Sequence, residues 1–191
     1  MLDHPITLPC GRIVKNRIAK SAMSEYMASK TGVPQEGFQH LYRRWAVGGV
    51  GINITGNVMI DSRSKEEGRN TVLEDDKHLE SWKRFAEAGK ENATEIWVQL
   101  NHPGRQARGH VSSLIVSASD VRMPFLKTVF KKPKPLSEEG IQDLIKRFGN
   151  SAKLAKQAGF TGIQIHSAHG YLLSQFPVSY THLTLPTICS V

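Results

Sequence analysis

The chain has 191 residues, 39% hydrophobic and 22% charged, which fits one soluble domain with a real core and excludes disordered and fibrous classes. No apolar run approaches the roughly 20 residues of a membrane span, and the opening MLDHPITLPCGRIVKN lacks the apolar centre of a secretory signal, so a cytoplasmic protein without a membrane partner is expected. The net charge of +8 comes from scattered basic residues, apart from KTVFKKPKP (127–135), and no nucleic-acid motif accompanies them, so a solvated surface or an anionic ligand is favoured over nucleic acid.

In chain order, RIAKSAMS (17–24) predicts a short strand. EGFQHLYRRWAVGG (36–49) predicts a helix with Phe38, Leu41 and Trp45 on one face, stopped by Gly48-Gly49. VGINITGNVMI (50–60) is β-branched and bounded by Gly51 and Asp61, as a buried strand should be. DDKHLESWKRFAEAGKENAT (75–94) predicts a second helix burying Leu79, Trp82, Phe85 and Ala86, with acids at its start. EIWVQLN (95–101) is the third strand, and an irregular excursion from His102 to Pro135 follows, long enough to suggest function. Ser137 caps a third helix carrying Ile141, Leu144, Ile145, Phe148, Ala152 and Ala155; Gly159 ends it and TGIQIHSA (161–168) is the fourth strand.

Strands alternating with helices predict a parallel α/β protein. A doubly wound nucleotide-binding sheet would carry a glycine-rich turn after its first strand, and SAMSEYMASKTG is not one. A (β/α) barrel places polar functional residues at the carboxyl ends of successive strands, where Ser24, Thr55-Gly56-Asn57, Gln99-Leu100-Asn101 and His166–His169 fall. The predicted fold is therefore a partial TIM (β/α)8 barrel, roughly its first four βα units. Cys10 and Cys189 lie at opposite ends and imply no disulfide framework.

His166 and His169 are spaced H-x-x-H, which on a strand would send them to opposite faces. They converge only if the strand ends between them, and Gly170 favours a turn there. A zinc site would want the helical H-E-x-x-H spacing and a third ligand, neither of which is evident, so no metal is expected. A metal-dependent hydrolase barrel is retained as a minor alternative.

KNRIAKSAMSEYMA, TGNVMID, VQLNHPGRQA and IQIHSAHGYLLSQF together resemble the old yellow enzyme family of NADH:flavin oxidoreductases and ene-reductases, over Leu8 to Phe176. The resemblance implies an FMN at the barrel rim, reduced by NADH or NADPH and passing hydride to a small electrophilic substrate such as an activated alkene. It implies that His166 and His169 hold the acceptor oxygen and that Tyr171 donates the proton. Gln99, with donor and acceptor on one amide, would meet the flavin pyrimidine. Ser21, Ala22, Met23 and Ser24 would run beneath the flavin, and Gly56 would allow close approach of backbone to the ring. His166 would touch both cofactor and substrate, and Asn101 would face the substrate. Relatives of the dienoyl-CoA reductase or amine dehydrogenase type share this barrel within a longer chain and are the alternative, and a full-length protein is compatible with a homo-oligomer.

The end of the chain reads differently. VSYTHLTLPT (178–187) is similar to a translated transposase adapter used in sequencing libraries. The expectation is a half barrel over residues 1–176 and a non-native tail over 177–191. The resemblance places an arginine and the phosphate-gripping loops in the other half of the barrel, so the chain alone is expected to hold no FMN and to be inactive.

Overall fold

The computed structural model describes residues 1–176; the expected tail, 177–191, lies outside the described residues. In chain order the strands and α-helices are β1 (Ile6–Thr7), β2 (Ile13–Val14), β3 (Ala19–Lys20), α1 (Glu36–Val47), β4 (Ile52–Met59), α2 (Leu79–Gly89), β5 (Glu95–Asn101), β6 (Val116–Ser117), β7 (Lys134–Pro135), α3 (Glu138–Ala158) and β8 (Gly162–Ile165). β1 and β2 form an antiparallel pair, and β6 and β7 a small parallel one. The main sheet is β3-β4-β5-β8, parallel throughout and ordered as the chain runs. A doubly wound sheet reverses its order at a switch point, whereas a barrel adds each strand beside the last. The observed winding is the barrel type.

One core lies between the sheet and all three helices. β5 shows why its sequence alternates: Ile96, Val98 and Leu100 join Phe38, Tyr42, Trp82, Phe85, Leu154 and Phe160 on the helix side. Tyr42 and Phe160 each pack edge-on to Phe85, at 4.7 and 5.6 Å between ring centroids. The register pairs Gln99 with Gln164, so the two amides share the opposite, barrel-facing side.

Several elements differ from expectation for physical reasons. The first strand pairs only at Ala19 and Lys20, and Ser21–Ser24 leaves the ladder. α1 buries Phe38, Tyr42 and Ala46, while Leu41 and Trp45 are only partly buried, because the i, i+4, i+8 row faces the core. α2 starts at Leu79, since Asp75 and Asp76 are spent on a turn in which Lys77 N donates to Asp75 and Leu79 N to the Asp76 carbonyl. It stops before Asn92 and Ala93, both at positive φ. Ser137 does cap α3, accepting from Gly140 N at 3.2 Å, and Gly159 ends it at φ 90°. Of the face expected for α3, Ile145 is 58% exposed, and the strand that follows stops at Ile165.

β4 contains a bulge absent from the sequence-based expectation. Ile54 pairs with Trp97 and Asn57 with Gln99, so Thr55 and Gly56 together oppose Val98. Before the bulge, Asn53 faces α1 and donates to the Tyr42 carbonyl; after it, Val58 and Ile60 take the helix side. The extra residue turns Asn57 toward the barrel interior.

Candidate active site

Because the strands are parallel, their carboxyl ends share one rim, and a cleft of about 170 Å³ opens there. Ala22, Met23, Ser24, Gln99, His166, His169 and Tyr171, all expected from the sequence, line it. Asn57, expected at the rim but given no site role, and Glu66, which was not expected, line it too.

The histidine turn forms because β8 ends at Ile165, one residue before His166, whose N–H still donates to the Leu100 carbonyl at 3.0 Å. His169 at φ 57° and Gly170 at φ 74° then reverse the chain; the left-handed conformation at Gly170 is one that a side chain would resist. The His166 ring stands edge-on to His169 at 5.2 Å and to Tyr171 at 4.8 Å. Loop contacts hold this arrangement: Gln106 Nε2 donates to the His169 carbonyl at 2.7 Å, and Leu172 N to the His102 carbonyl at 3.0 Å. Gln175 is a hub, donating to the Gly170 carbonyl at 2.6 Å while its Oε1 accepts from Ser117 Oγ at 2.8 Å and Arg105 N at 3.3 Å.

The His166 Nδ1 accepts from Ala168 N at 3.3 Å. A neutral imidazole with an accepting Nδ1 carries its proton on Nε2. Burial, and then His169, lower the His166 pKa, which favours that neutral donor form. Tyr171 is shifted the other way: burial, then the neighbouring Glu66 carboxylate, raise its phenol well above the ordinary value, so the proton stays in place until a strong base forms beside it.

Gln99 Nε2 donates to Gln164 Oε1 at 2.7 Å, which orients the Gln99 amide and leaves its Oε1 to accept from a ligand. Gln164 was legible as the residue between the core-facing Ile163 and Ile165. Ser24 Oγ donates to Glu67 at 2.8 Å, so its hydroxyl is engaged by a carboxylate of the loop after β4. That loop, with Glu66 and Glu67, gave no periodic signal in the sequence. Asn57 had one: Gly56 inside a β-branched run is a bulge signature.

Three expected positions lie outside the described cleft lining. Ser21 is exposed and outside the cleft lining. Asn101 does not face the cleft: it is 0% exposed, paired with Met59, and enclosed where the chain returns beside β4, with Met59 N donating to the Thr71 carbonyl. Gly56 is a close-approach glycine, but its neighbours belong to this chain. A Cβ there would collide with the Met23 carbonyl and the Glu25 carboxylate. Its N–H donates to Tyr42 OH at 3.1 Å and Glu25 at 3.2 Å, and Tyr42 OH also donates to Glu25.

The cleft suits the ring of a flavin better than its phosphate. Met23 is 57% exposed along one wall, an apolar bed beside the free acceptor of Gln99 and the Nε2–H of His166. Among the described residues no lysine or arginine lines the cleft, and its volume is below the roughly 300 Å³ at which ligand pockets begin. Among the described residues, no group of three or more His, Cys, Asp or Glu gathers to hold a metal ion, and no helix is long and apolar enough to cross a membrane.

The family model described as NADH:flavin oxidoreductase / NADH oxidase matches residues 2–182. The chain belongs to this family. It is 38% identical to the NADH-dependent flavin oxidoreductase iccE of Talaromyces variabilis, over 92% of this chain and 47% of that protein. It is 33% identical to an NADPH dehydrogenase of Geobacillus, over 92% of this chain and 50% of the other. The old yellow enzyme homologue of Zymomonas mobilis superposes with a TM-score of 0.81 at 26% identity, covering 90% of this chain and 49% of that one. Morphinone reductase, at 22% identity and a TM-score of 0.83 over 93% of this chain and 50% of that chain, shows the same fold. The chain thus spans about half the length of the relatives it matches, as an α/β segment matching about half of a TIM-barrel structure.

Proposed function

We propose that the whole protein is an FMN-dependent oxidoreductase that takes hydride from NADH or NADPH and delivers it to an activated alkene or related small electrophile. The observation that carries this reading is the convergence of His166, His169 and Tyr171 above Gln99 at the carboxyl ends of parallel strands. FMN, when bound, supplies the hydride. Ala22 and Met23 form the bed for its ring, and the Gln99 Oε1 accepts from a ring N–H. His166 Nε2–H, with His169 beside it, donates to the acceptor oxygen and draws electron density from the double bond. Tyr171 then gives its proton to the carbon left electron-rich, which a phenol with a raised pKa does only at the end of the reaction.

A longer flavoprotein of the dienoyl-CoA reductase or amine dehydrogenase type is the second reading. It is supported by the NADH oxidase of Thermoanaerobacter brockii, 34% identical over 86% of this chain but only 25% of its own length. The deciding experiment is purification of the full-length protein with measurement of bound FMN, iron and zinc, and of NADH or NADPH oxidation with 2-cyclohexenone. Stoichiometric FMN and turnover that falls about 10²-fold or more in Tyr171→Phe support the first reading. Added iron points to the second. Zinc without flavin overturns both in favour of a hydrolase.

A further inference from the structure

The loop after β4 carries one carboxylate, Glu66, into a cleft whose described polar lining is otherwise uncharged or imidazole, with Glu67 next to it in the chain. Glu66 lines the cleft with Tyr171 and the two histidines, and is held there by Asn57, whose Nδ2 donates to Glu66 Oε2 at 2.6 Å. The β4 bulge is what aims Asn57 at this spot. Glu67 is held beside it, accepting from Ser24 Oγ at 2.8 Å while its own N–H donates to Asn70 Oδ1 at 2.7 Å. Among the described residues neither carboxylate has a lysine, arginine or histidine nitrogen within 4.0 Å, although elsewhere Glu91 and Glu95 each have one and Asp61 has two. The Arg108 charge acts on Tyr171 only as the least of its influences, lowering a pKa that burial and the two carboxylates raise.

We propose that Glu66 is a specificity-determining residue that makes the cleft reject acceptors bearing a carboxylate and accept their uncharged counterparts. This rests on the proposed function and deepens it by naming the substrate class. A chain of net charge +8 would otherwise draw anions toward itself. A carboxylate lining the cleft reverses that preference locally, because its Oε2 is met by the uncharged Asn57 amide and, among the described residues, no cationic nitrogen lies within 4.0 Å of it. Discrimination of this kind is set by a repulsive element as much as by an attractive one. Glu66 also stands beside the Tyr171 hydroxyl and helps to raise its pKa, so its effect on selectivity is read from the ratio between two acceptors, through the substituent that the acceptor carries toward Asn57.

The test uses the full-length holoenzyme and two maleimides with the same activated double bond, N-carboxymethylmaleimide and its carbamoylmethyl amide. Wild type should favour the amide in kcat/KM by roughly tenfold, the effect of one unit charge in a half-exposed cleft. The corresponding succinimides, which cannot be reduced, should show the same preference in Kd. Glu66→Gln keeps the acceptor for Asn57 and should cut both ratios at least threefold; raising the salt should narrow the wild-type ratio. Glu87→Gln, which removes the same charge near the far end of α2, should leave the ratios alone. Ratios near one in wild type, unchanged ratios in Glu66→Gln, or an equal shift in Glu87→Gln each overturn the inference. Turnover of both maleimides without preference sinks it while the redox function stands. Selective succinimide binding without turnover of either maleimide sinks the redox function and leaves the selectivity.

Discussion

Glu25 joins the Ala22–Ser24 segment to the β4 bulge beside it, and its removal should be costly. Its side chain is 6% exposed and accepts from Gly56 N at 3.2 Å and from Tyr42 OH, with Lys20 Nζ at 3.6 Å and itself only 10% exposed. Glu25→Ala strands the Lys20 ammonium. Breaking a buried pair in this way typically costs ~3–5 kcal/mol. Lys20 retains the Ile54 carbonyl at 2.9 Å, Tyr42 OH at 3.0 Å and the Trp45 ring face at 4.3 Å, which argues for the lower end, about 3 kcal/mol. Urea unfolding of the full-length protein should show the midpoint falling with an unchanged m-value. Hydrogen exchange should show the Gly56 amide losing protection, a local readout because that N–H points at the missing carboxylate. The double variant Lys20→Met/Glu25→Leu removes both charges and should recover most of the loss. A cost below about 1 kcal/mol for Glu25→Ala, or a double variant as unstable as the two singles combined, would refute the reasoning.

Three further outcomes follow from the same geometry. His102 is 1% exposed and burial lowers its pKa from 6.5 to about 4, so the unfolded chain binds the extra proton between those values. Its contribution is therefore complete above pH 6.5 and is lost as pH falls toward 4, by up to ~3 kcal/mol, and His102→Asn should flatten that part of the stability–pH curve. Gln175→Ala removes the brace between the histidine turn and the Pro103–Ser117 segment; it should lower turnover more than global stability, and equal losses in both would contradict its positioning role. The 191-residue chain alone should self-associate and release FMN on gel filtration, because the outer edge of β8 borders an open groove of about 570 Å³ containing Phe160 and Ile163; a yellow monomer would count against this.

The strand and helix order was legible because each signal was local and redundant. β5 runs Glu95 to Asn101 as its alternation predicts, and α3 lies between the Ser137 cap and Gly159 as their chemistry predicts. The site was legible where a motif fixes its own turn, as in His166 to Tyr171. What the sequence hid depends on pairing across the sheet. A single extra residue in β4 reverses which side chains face the barrel, and nothing in INITGNVM beyond its glycine announces that. The family resemblance implied that Asn101 would face the substrate, yet enclosure at the end of the strand depends on the chain returning at Thr71, fifteen or sixteen residues beyond the bulge pair. Glu66 and Glu67 looked like ordinary solvated acids because only Asn57 and Ser24, brought close by folding, show where they point.

The groups that perform chemistry and those that grip a cofactor place different demands on the fold, and this chain separates them. Hydrogen-bond donors must sit within a few tenths of an ångström of productive positions, so they belong on strands or on turns bolted to strands. His166 continues the β8 ladder, Gln99 is oriented across it by Gln164, and the Tyr171 turn is tied down by Gln106 and Gln175. Four strands are enough for that. Holding a dianionic phosphate needs several N–H donors or cations, and the described cleft lining offers instead the Glu66 carboxylate and no lysine or arginine. On the proposed function, these residues can set the orientation of the reacting groups, while the described cleft lining holds no cation to grip a phosphate. On that basis, variants at Gln99 or Gln164 should change how a bound flavin is oriented and reduced far more than how tightly it is retained.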